Sequence, residues 1–421
     1  MKITIDKPIL VYSPPVNEAT EKWGVYSIPR MWRHYTGELV VRFNGEEDSG
    51  SAAQCAPNLF FVSYDNGESW QESSEEKYDI RYLTGINPPF AFLKNGDIVG
   101  VRYKANLLPI GDLSPLKEFA LPNGASVVYS YKYGDIPPEC AGTELFLKRG
   151  ETERIEQINY NFPEREVLVN AKYLDEESKE YKPLEKYVQA NIFWSPYFTG
   201  ITELDDSTLC AITHGQNPSV PDRQCEDAYF IVSSDGGKTW TYRATIADGS
   251  EFPYGCCGDG GEISLTRSSN GNLICAMRTD MSLAEAMPCN TLISVSSDNG
   301  YTWSKPASAA DSSVTPHVVA LNDGIVVLIY GRPGVHFKIS EDNGLTWSSS
   351  YPIIGKTLAE ELADGNTAAD AKYFNTCSYS NTFIEKISDD TILVIYNDLK
   401  YDPGDGQHHK AAFVRKITVT K

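Results

Sequence analysis

At 421 residues, 41% hydrophobic and 22% charged, the chain is long enough for one large repeat-built domain or two ordinary ones, and too apolar to be mainly disordered. Lys and Arg number 37 against 57 Asp and Glu, and the resulting net charge of −20 would repel a phosphate backbone, which argues against nucleic acid as a partner. No stretch approaches the ~18 uninterrupted apolar residues of a bilayer span, and the start, Met1-Lys-Ile-Thr-Ile-Asp6, lacks the apolar run of a signal peptide, so a soluble cytoplasmic protein is expected, with a secreted protein trimmed of its leader as the alternative.

In chain order, the first predicted element is an extended run within residues 2–11, read as the partner of the last one. Met31-Trp-Arg-His-Tyr-Thr-Gly37-Glu-Leu-Val-Val41 follows, two apolar strands about a glycine turn. That pattern returns at residues 90–101 around Gly96, 200–212 around Asp206, 263–277 around Gly271, 318–329 around Gly324 and 383–395 around Asp390. Between these hairpins an octapeptide Ser-x-Asp-x-Gly-x-(Ser/Thr)-Trp occurs four times: Ser63–Trp70, Ser233–Trp240, Ser296–Trp303 and Ser340–Trp347. Its Asp accepts backbone N–H bonds, its Gly takes a left-handed conformation and its Trp staples the turn to a sheet, so the octapeptide is predicted to be a hairpin tip. A carboxylate repeated in four turns is structural, because four active sites are not expected in one chain. The second unit lacks the octapeptide and leads into an irregular charged stretch at about 136–190, read as an elaboration of that unit. The last strand, within residues 411–419, would pair with the first and close the ring.

Six units of two hairpins each make four strands per unit. The expected fold class is therefore all-β, a six-bladed β-propeller of four-stranded antiparallel blades, with residues 1–421 in a single domain. Nine cysteines, an odd number, show neither zinc spacing nor a disulfide framework, and the six histidines nominate no metal site, so neither cofactor nor metal is expected.

The octapeptides resemble the Asp-boxes of the sialidase (neuraminidase) superfamily, whose six-bladed propeller agrees with the unit count. The resemblance implies an exo-acting glycoside hydrolase whose partner is a glycan carrying a terminal sugar acid. That chemistry needs guanidinium groups to take a carboxylate in bidentate fashion, and an acid and a nucleophile or base for an oxocarbenium-like transition state. Arg278 follows the fourth hairpin in the superfamily's order of Glu, hairpin and Arg, and Arg332 stands just before the fourth box, where the last arginine of the family's triad is expected. The first triad arginine normally lies in Tyr/Phe-Arg-Ile-Pro, but here Tyr26-Ser27-Ile28-Pro29-Arg30 puts serine at that position. Arg30 is the nearest substitute, with Arg33 and Arg42 behind it, and strand alternation means that it would need a bulge or bend to serve.

Ser378-Tyr379-Ser380 resembles the segment with the catalytic tyrosine, and Glu262 sits where its carboxylate partner is placed. A phenol with a pKa near ~10 attacks poorly unless a neighbouring base takes its proton. The acid/base is expected in the loop Asn44-Gly-Glu46-Glu47-Asp48-Ser-Gly50; the resemblance favours Asp48, and Glu46 or Glu47 would also serve. Asp227, Asp259 and Asp280 are unranked candidates, and Tyr254 and Trp194 could stack on a sugar. The reading is a retaining sialidase-like hydrolase with Tyr379, Glu262 and Asp48 catalytic and Arg278, Arg332 and Arg30 binding substrate. The alternatives are a propeller hydrolase acting on another anionic sugar such as a uronic acid, one working by inversion with carboxylates alone, and a non-catalytic glycan-binding propeller.

Overall fold

The computed structural model describes every residue except 19, 27–28, 46–57, 79–85, 104–106, 110–113, 121–125, 136–142, 163–165, 175–180, 184–186, 190–200, 217–225, 253–261, 280–289, 313, 369 and 372–375. Its strands build the six four-stranded antiparallel blades of a six-bladed β-propeller. Each blade opens with one of the six hairpins read from the sequence. The first blade is Arg30–Arg33, Leu39–Asn44, Asn58–Ser63 and Gln71–Ser73, and the second is Ile86–Phe92, Ile98–Tyr103, Thr143–Arg149 and Thr152–Gln157. The third runs through Thr202–Glu203, Leu209–Gln216, Glu226–Ser233 and Thr239–Ala247, with Asn159–Asn161 added in parallel. The fourth is Ile263–Arg267, Leu273–Arg278, Thr291–Ser296 and Ala307–Ala310, and the fifth Val314–Ala320, Val326–Gly331, Val335–Ser340 and Tyr351–Ile354. In the sixth, Phe383–Lys386, Thr391–Tyr401 and His409–Thr420 are joined by the N-terminal strand Lys2–Ile5, in a register that pairs Lys2 with Thr420 and Ile5 with Ile417. The predicted pairing of first and last strands thus completes one blade.

The chain forms two compact units. One holds blades one, four, five and six (residues 1–83, 262–297 and 306–421), and the other holds blades two and three with the extra strands (84–261 and 298–305). Within the first unit, strand alternation divides each inner strand between two neighbouring blades. Val326, Leu328 and Tyr330 pack with Ile274 and Ala276 of the fourth blade, whereas Val327 and Ile329 pack with Ile392 and Val394 of the sixth. Leu393 and Ile395 face the other way, onto Leu39, Val41 and Phe43 of the first blade. Both faces of such a strand are dry, so it reads as an unbroken apolar run, and each fully buried Val, Leu or Ile contributes ~1.5–3 kcal/mol. The second unit has its own core, in which Val99, Val101, Leu145, Leu209, Ile231 and Trp240 meet.

The octapeptides are the turns between the third and fourth strands of blades one, three, four and five. In the fifth blade Asp342 Oδ1 accepts from the backbone N–H of Thr346 at 2.9 Å and Oδ2 from its hydroxyl at 2.6 Å, while Ser340 Oγ accepts from Gly344 N at 2.8 Å. Gly344 has φ +90°, and a Cβ there would lie 2.5 Å from Ile274 Cγ1 of the adjoining blade. Both the left-handed turn and the close approach demand glycine.

The charged stretch read as an elaboration departs from expectation at its start. Residues 143–149 and 152–157 are the outer two strands of the second blade itself, and added strands begin earlier, at Leu107–Pro109, Lys117–Ala120 and Ser126–Lys132. The alternating charges of Thr152–Gln157 belong to an outermost strand with its side chains largely exposed, which a composition reading cannot distinguish from a loop. Among the described residues no helix is long and apolar enough to cross a membrane.

Candidate active site

The fourth hairpin brings Glu262 and Arg278 together. Ile263 pairs with Met277, and the register carries one residue further, because Arg278 N donates to Glu262 O at 3.1 Å. Directly opposed residues present their side chains on one face, and Arg278 Nη1 stands 2.7 Å from Glu262 Oε2. Both side chains are mostly buried, at 14% and 12% exposure, so little solvent screens the pair. The same Oε2 accepts from the backbone N–H of Thr315 at 2.7 Å, at the start of the fifth blade. Thr315 is held at φ +45°, a conformation that a β-branched residue rarely adopts. Its hydroxyl accepts from Asn381 Nδ2 at 3.2 Å, which ties the pair to the segment carrying Tyr379.

That segment, residues 376–382, is rich in hydroxyls for a physical reason. Ser378, Ser380 and Thr382 are fully buried, and a buried irregular backbone must find its hydrogen bonds locally. Thr376 Oγ1 donates to Ser378 O at 2.6 Å, Ser378 Oγ accepts from Ser380 N at 3.0 Å, and Ser380 Oγ donates to Gly334 O at 2.6 Å. The last bond reaches the turn between the middle strands of the fifth blade, which carries Arg332. Glycine is required on both sides of that arginine. A Cβ on Gly331 would lie 2.3 Å from Ser380 Cβ, and one on Gly334, at φ +62°, would lie 2.5 Å from Ile354 O. Arg332 is 9% exposed and directs its fork at the backbone carbonyl of Tyr379, with Nε at 3.1 Å and Nη2 at 2.5 Å.

Tyr379 is itself buried, at 4% exposure. The indole of Trp23 stands against it, with ring centroids 4.0 Å apart and planes 66° from parallel, and the Arg332 guanidinium lies 5.4 Å from the indole centroid. Lys410 Nζ is 5.6 Å from the Tyr379 ring centroid. Burial lowers the Lys410 ammonium from the ordinary lysine value, against a smaller opposing pull from Glu21.

Glu262, Arg278, Arg332 and Tyr379, far apart in sequence, are thus linked by a continuous run of contacts within one unit. Arg30 is placed by strand pairing opposite Arg42, whose Nη2 donates to Asn44 Oδ1 at 3.2 Å. Arg33 lies at the other end of that short strand and donates to Gly37 O at 2.8 Å and Asn66 Oδ1 at 3.2 Å, near the first octapeptide. Asp227, in the other unit, accepts from Tyr229 OH at 2.5 Å and from Gly249 N at 2.7 Å, which makes its carboxylate the anchor of a turn. Asp48, with Glu46, Glu47, Ser27, Trp194, Tyr254, Asp259 and Asp280, lies outside the described residues. Four neighbours of the centre were not anticipated from sequence. Trp23 carried a faint signal, as one of three tryptophans outside the octapeptides. Lys410 carried none, and neither did Thr315 or Asn381.

Comparison with known proteins adds a partial match to this geometry. Residues 200–398 match the BNR repeat-like domain. No curated protein sequence matches the chain significantly. Among solved structures, a protein of unknown function from Dyadobacter fermentans is 17% identical, with 99% of each chain covered and a TM-score of 0.56. An α-L-arabinanase from Penicillium chrysogenum is 12% identical over 98% of each chain with a TM-score of 0.46, and a NanB sialidase from Streptococcus pneumoniae is 13% identical over 96% of this chain and 70% of its own with a TM-score of 0.45. The four Asp-box turns and the six blades agree with the repeat match, and the chain is a six-bladed β-propeller that is similar to BNR repeats over residues 200–398.

Proposed function

We propose that this propeller is a glycoside hydrolase that releases a terminal sialic acid or a related acidic sugar from glycans with retention of configuration. The observation that carries the reading is the bonded run from Arg278 through Glu262, Thr315 and Asn381 to the Tyr379 segment and on to Arg332. The run links two guanidinium groups, a carboxylate and the segment that carries a tyrosine, on residues up to 117 positions apart in the chain, the difference between 379 and 262, and this supports the reading.

In this reading Arg278, Arg332 and Arg30 take the sugar carboxylate. Tyr379 Oη attacks the anomeric carbon and passes its proton to Glu262, while Asp48 protonates the departing glycosidic oxygen. Water deprotonated by Asp48 then displaces the tyrosyl oxygen, and Glu262 returns the proton. A phenol suits this role because, while neutral, it is not repelled by an anionic ring as a carboxylate nucleophile would be.

One observation favours a second reading. Arg278 is already neutralised by Glu262, and Ser27 stands where the superfamily has its first arginine, so the cation available to a sialic acid carboxylate is reduced. A propeller that only binds glycans would need less, and a uronic acid would bring its one carboxylate on a different ring carbon. The deciding experiment is a screen of fluorogenic α-sialosides and uronides with the wild type and Tyr379→Phe. Release from a sialoside that the substitution abolishes, with binding retained, supports the proposal. Turnover unchanged in Tyr379→Phe eliminates the tyrosine mechanism, and no release from any substrate favours the binding propeller.

A further inference from the structure

Trp23 and Lys410 belong to no step of the mechanism above, yet both touch its centre. Lys410 lies in the third strand of the sixth blade and is 8% exposed. A buried ammonium is expensive to desolvate, and among the described residues this one makes no ion pair with a carboxylate. It donates instead to two carbonyls of one loop, Thr20 O and Lys22 O, both at 2.6 Å. That loop is stiffened from within, because Asn17 N donates to Thr20 Oγ1 at 3.0 Å, Thr20 N to Asn17 Oδ1 at 3.1 Å and Thr20 Oγ1 to Pro15 O at 2.6 Å. The next residue after the second anchored carbonyl is Trp23. A lysine that only filled space would be replaced without loss by an apolar residue of its size. One that ties down two carbonyls of the same turn fixes where the following side chain can go.

Trp23 is only half buried, although its ring meets Tyr379 and faces Arg332. Among the described residues its indole N–H has no hydrogen-bond partner, so both a donor and apolar ring surface are presented beside the guanidinium. Two cationic heads lie close by, Arg332 over the indole and Lys410 over the Tyr379 ring, and Glu21 is the carboxylate that bears on Lys410. In a chain of net charge −20, two cationic heads beside an indole face suit an anionic ligand.

We infer that Trp23 is a further substrate-contacting residue of this centre, an indole wall and donor for the ring of an acidic sugar held by Arg332, and that Lys410 is the positioning residue that holds Trp23 there. The inference rests on the proposed function. Its test is a fluorescence titration of the full-length protein with free N-acetylneuraminic acid and with glucuronic acid, comparing the wild type with Trp23→Phe, Lys410→Met, Lys410→Arg and Arg332→Lys, together with acrylamide quenching of the ligand-free forms. The expected result is a ligand-induced change in tryptophan emission that disappears in Trp23→Phe, with affinity weakened about tenfold, the discrimination of one good contact. Lys410→Met should weaken binding to a similar degree and raise quenching by acrylamide, an increase absent when Trp23→Phe is added, and Lys410→Arg should recover part of both. If Trp23→Phe keeps the wild-type signal and affinity while Arg332→Lys loses binding, the inference falls and the functional reading stands. Quenching unchanged in Lys410→Met removes the positioning role. If the wild type binds neither acid, or Arg332→Lys binds as well as the wild type, the reading falls and the inference with it. Should Lys410→Met not fold, Trp23→Phe alone still decides the substrate contact.

Discussion

The Asp-box turns and the centre around Tyr379 both hold irregular backbone in place with short hydrogen bonds, but they recruit partners at different distances along the chain. Each Asp-box completes itself: Asp65, Asp235, Asp298 and Asp342 all accept from the backbone N–H four residues later. The centre does the reverse. Arg332 reaches 47 residues to Tyr379 O, Glu262 reaches 53 residues to Thr315 N, and Asn381 reaches 66 residues to Thr315 Oγ1. A self-contained turn survives loss of its neighbours and recurs as a sequence motif. A site assembled from several blades exists only once the blades pack, so local damage to a box should lower stability with modest effect on the site, whereas damage to the centre should abolish activity and lower stability only where it strands a buried charge.

The sharpest break of that comparison is Tyr379→Phe. Turnover should fall by at least about 10³-fold, ~4 kcal/mol of barrier, while the thermal midpoint stays close to the wild type. A coupled fall in stability would show that the phenol serves packing instead. Next is Arg278→Ala, which leaves the largely buried Glu262 without its ion pair and should cost about 3 kcal/mol of stability by urea unfolding. Glu262→Gln,Arg278→Met should recover much of that stability but no activity.

An acid titration gives the next effect. His317 is buried in the first strand of the fifth blade against the Phe383 ring, at 4.6 Å. Burial pushes its imidazole down to about 4, against a backbone contact at Thr382 that opposes the shift. A depressed folded-state value means that the unfolded chain binds the proton more tightly, so the stability is complete above about 6.5 and is lost as the pH falls from there toward 4. By pH 5 the loss should be about 2 kcal/mol, and His317→Leu should flatten this part of the stability profile. The smallest effect is expected from Asp342→Ala. Burial opposes the charge of this carboxylate, but hydrogen bonds from Thr346 and Ser340 outweigh it and hold the group below its usual value. Removing it should cost about 1 kcal/mol, read as a lower urea midpoint at unchanged slope, with catalysis untouched.

The reach of sequence reading follows the same divide. The Glu262–Arg278 relation was legible because both residues belong to one hairpin, whose register puts them face to face. The blade count was legible because each unit repeats its own turn. The outer strands of the second blade were not, since an exposed edge strand with alternating charges has no apolar signature. Thr315, Asn381 and Lys410 were equally silent: a threonine held at positive φ, an asparagine bridging two blades and a lysine tied to two carbonyls are defined by what packs beside them.

The amino-acid order by itself determined the repeating hairpins, the self-closing Asp turns and the all-β class, because each depends on side-chain alternation or on bonds spanning a few residues. Only the tertiary structure decided that Arg332 turns its fork onto the Tyr379 carbonyl, that Glu262 is shared between Arg278 and the Thr315 amide, and that Trp23 stands against the Tyr379 ring just after a loop bonded by a buried lysine. Those contacts join residues tens to hundreds of positions apart, and their geometry is set by the stacking of whole blades, which no local pattern encodes.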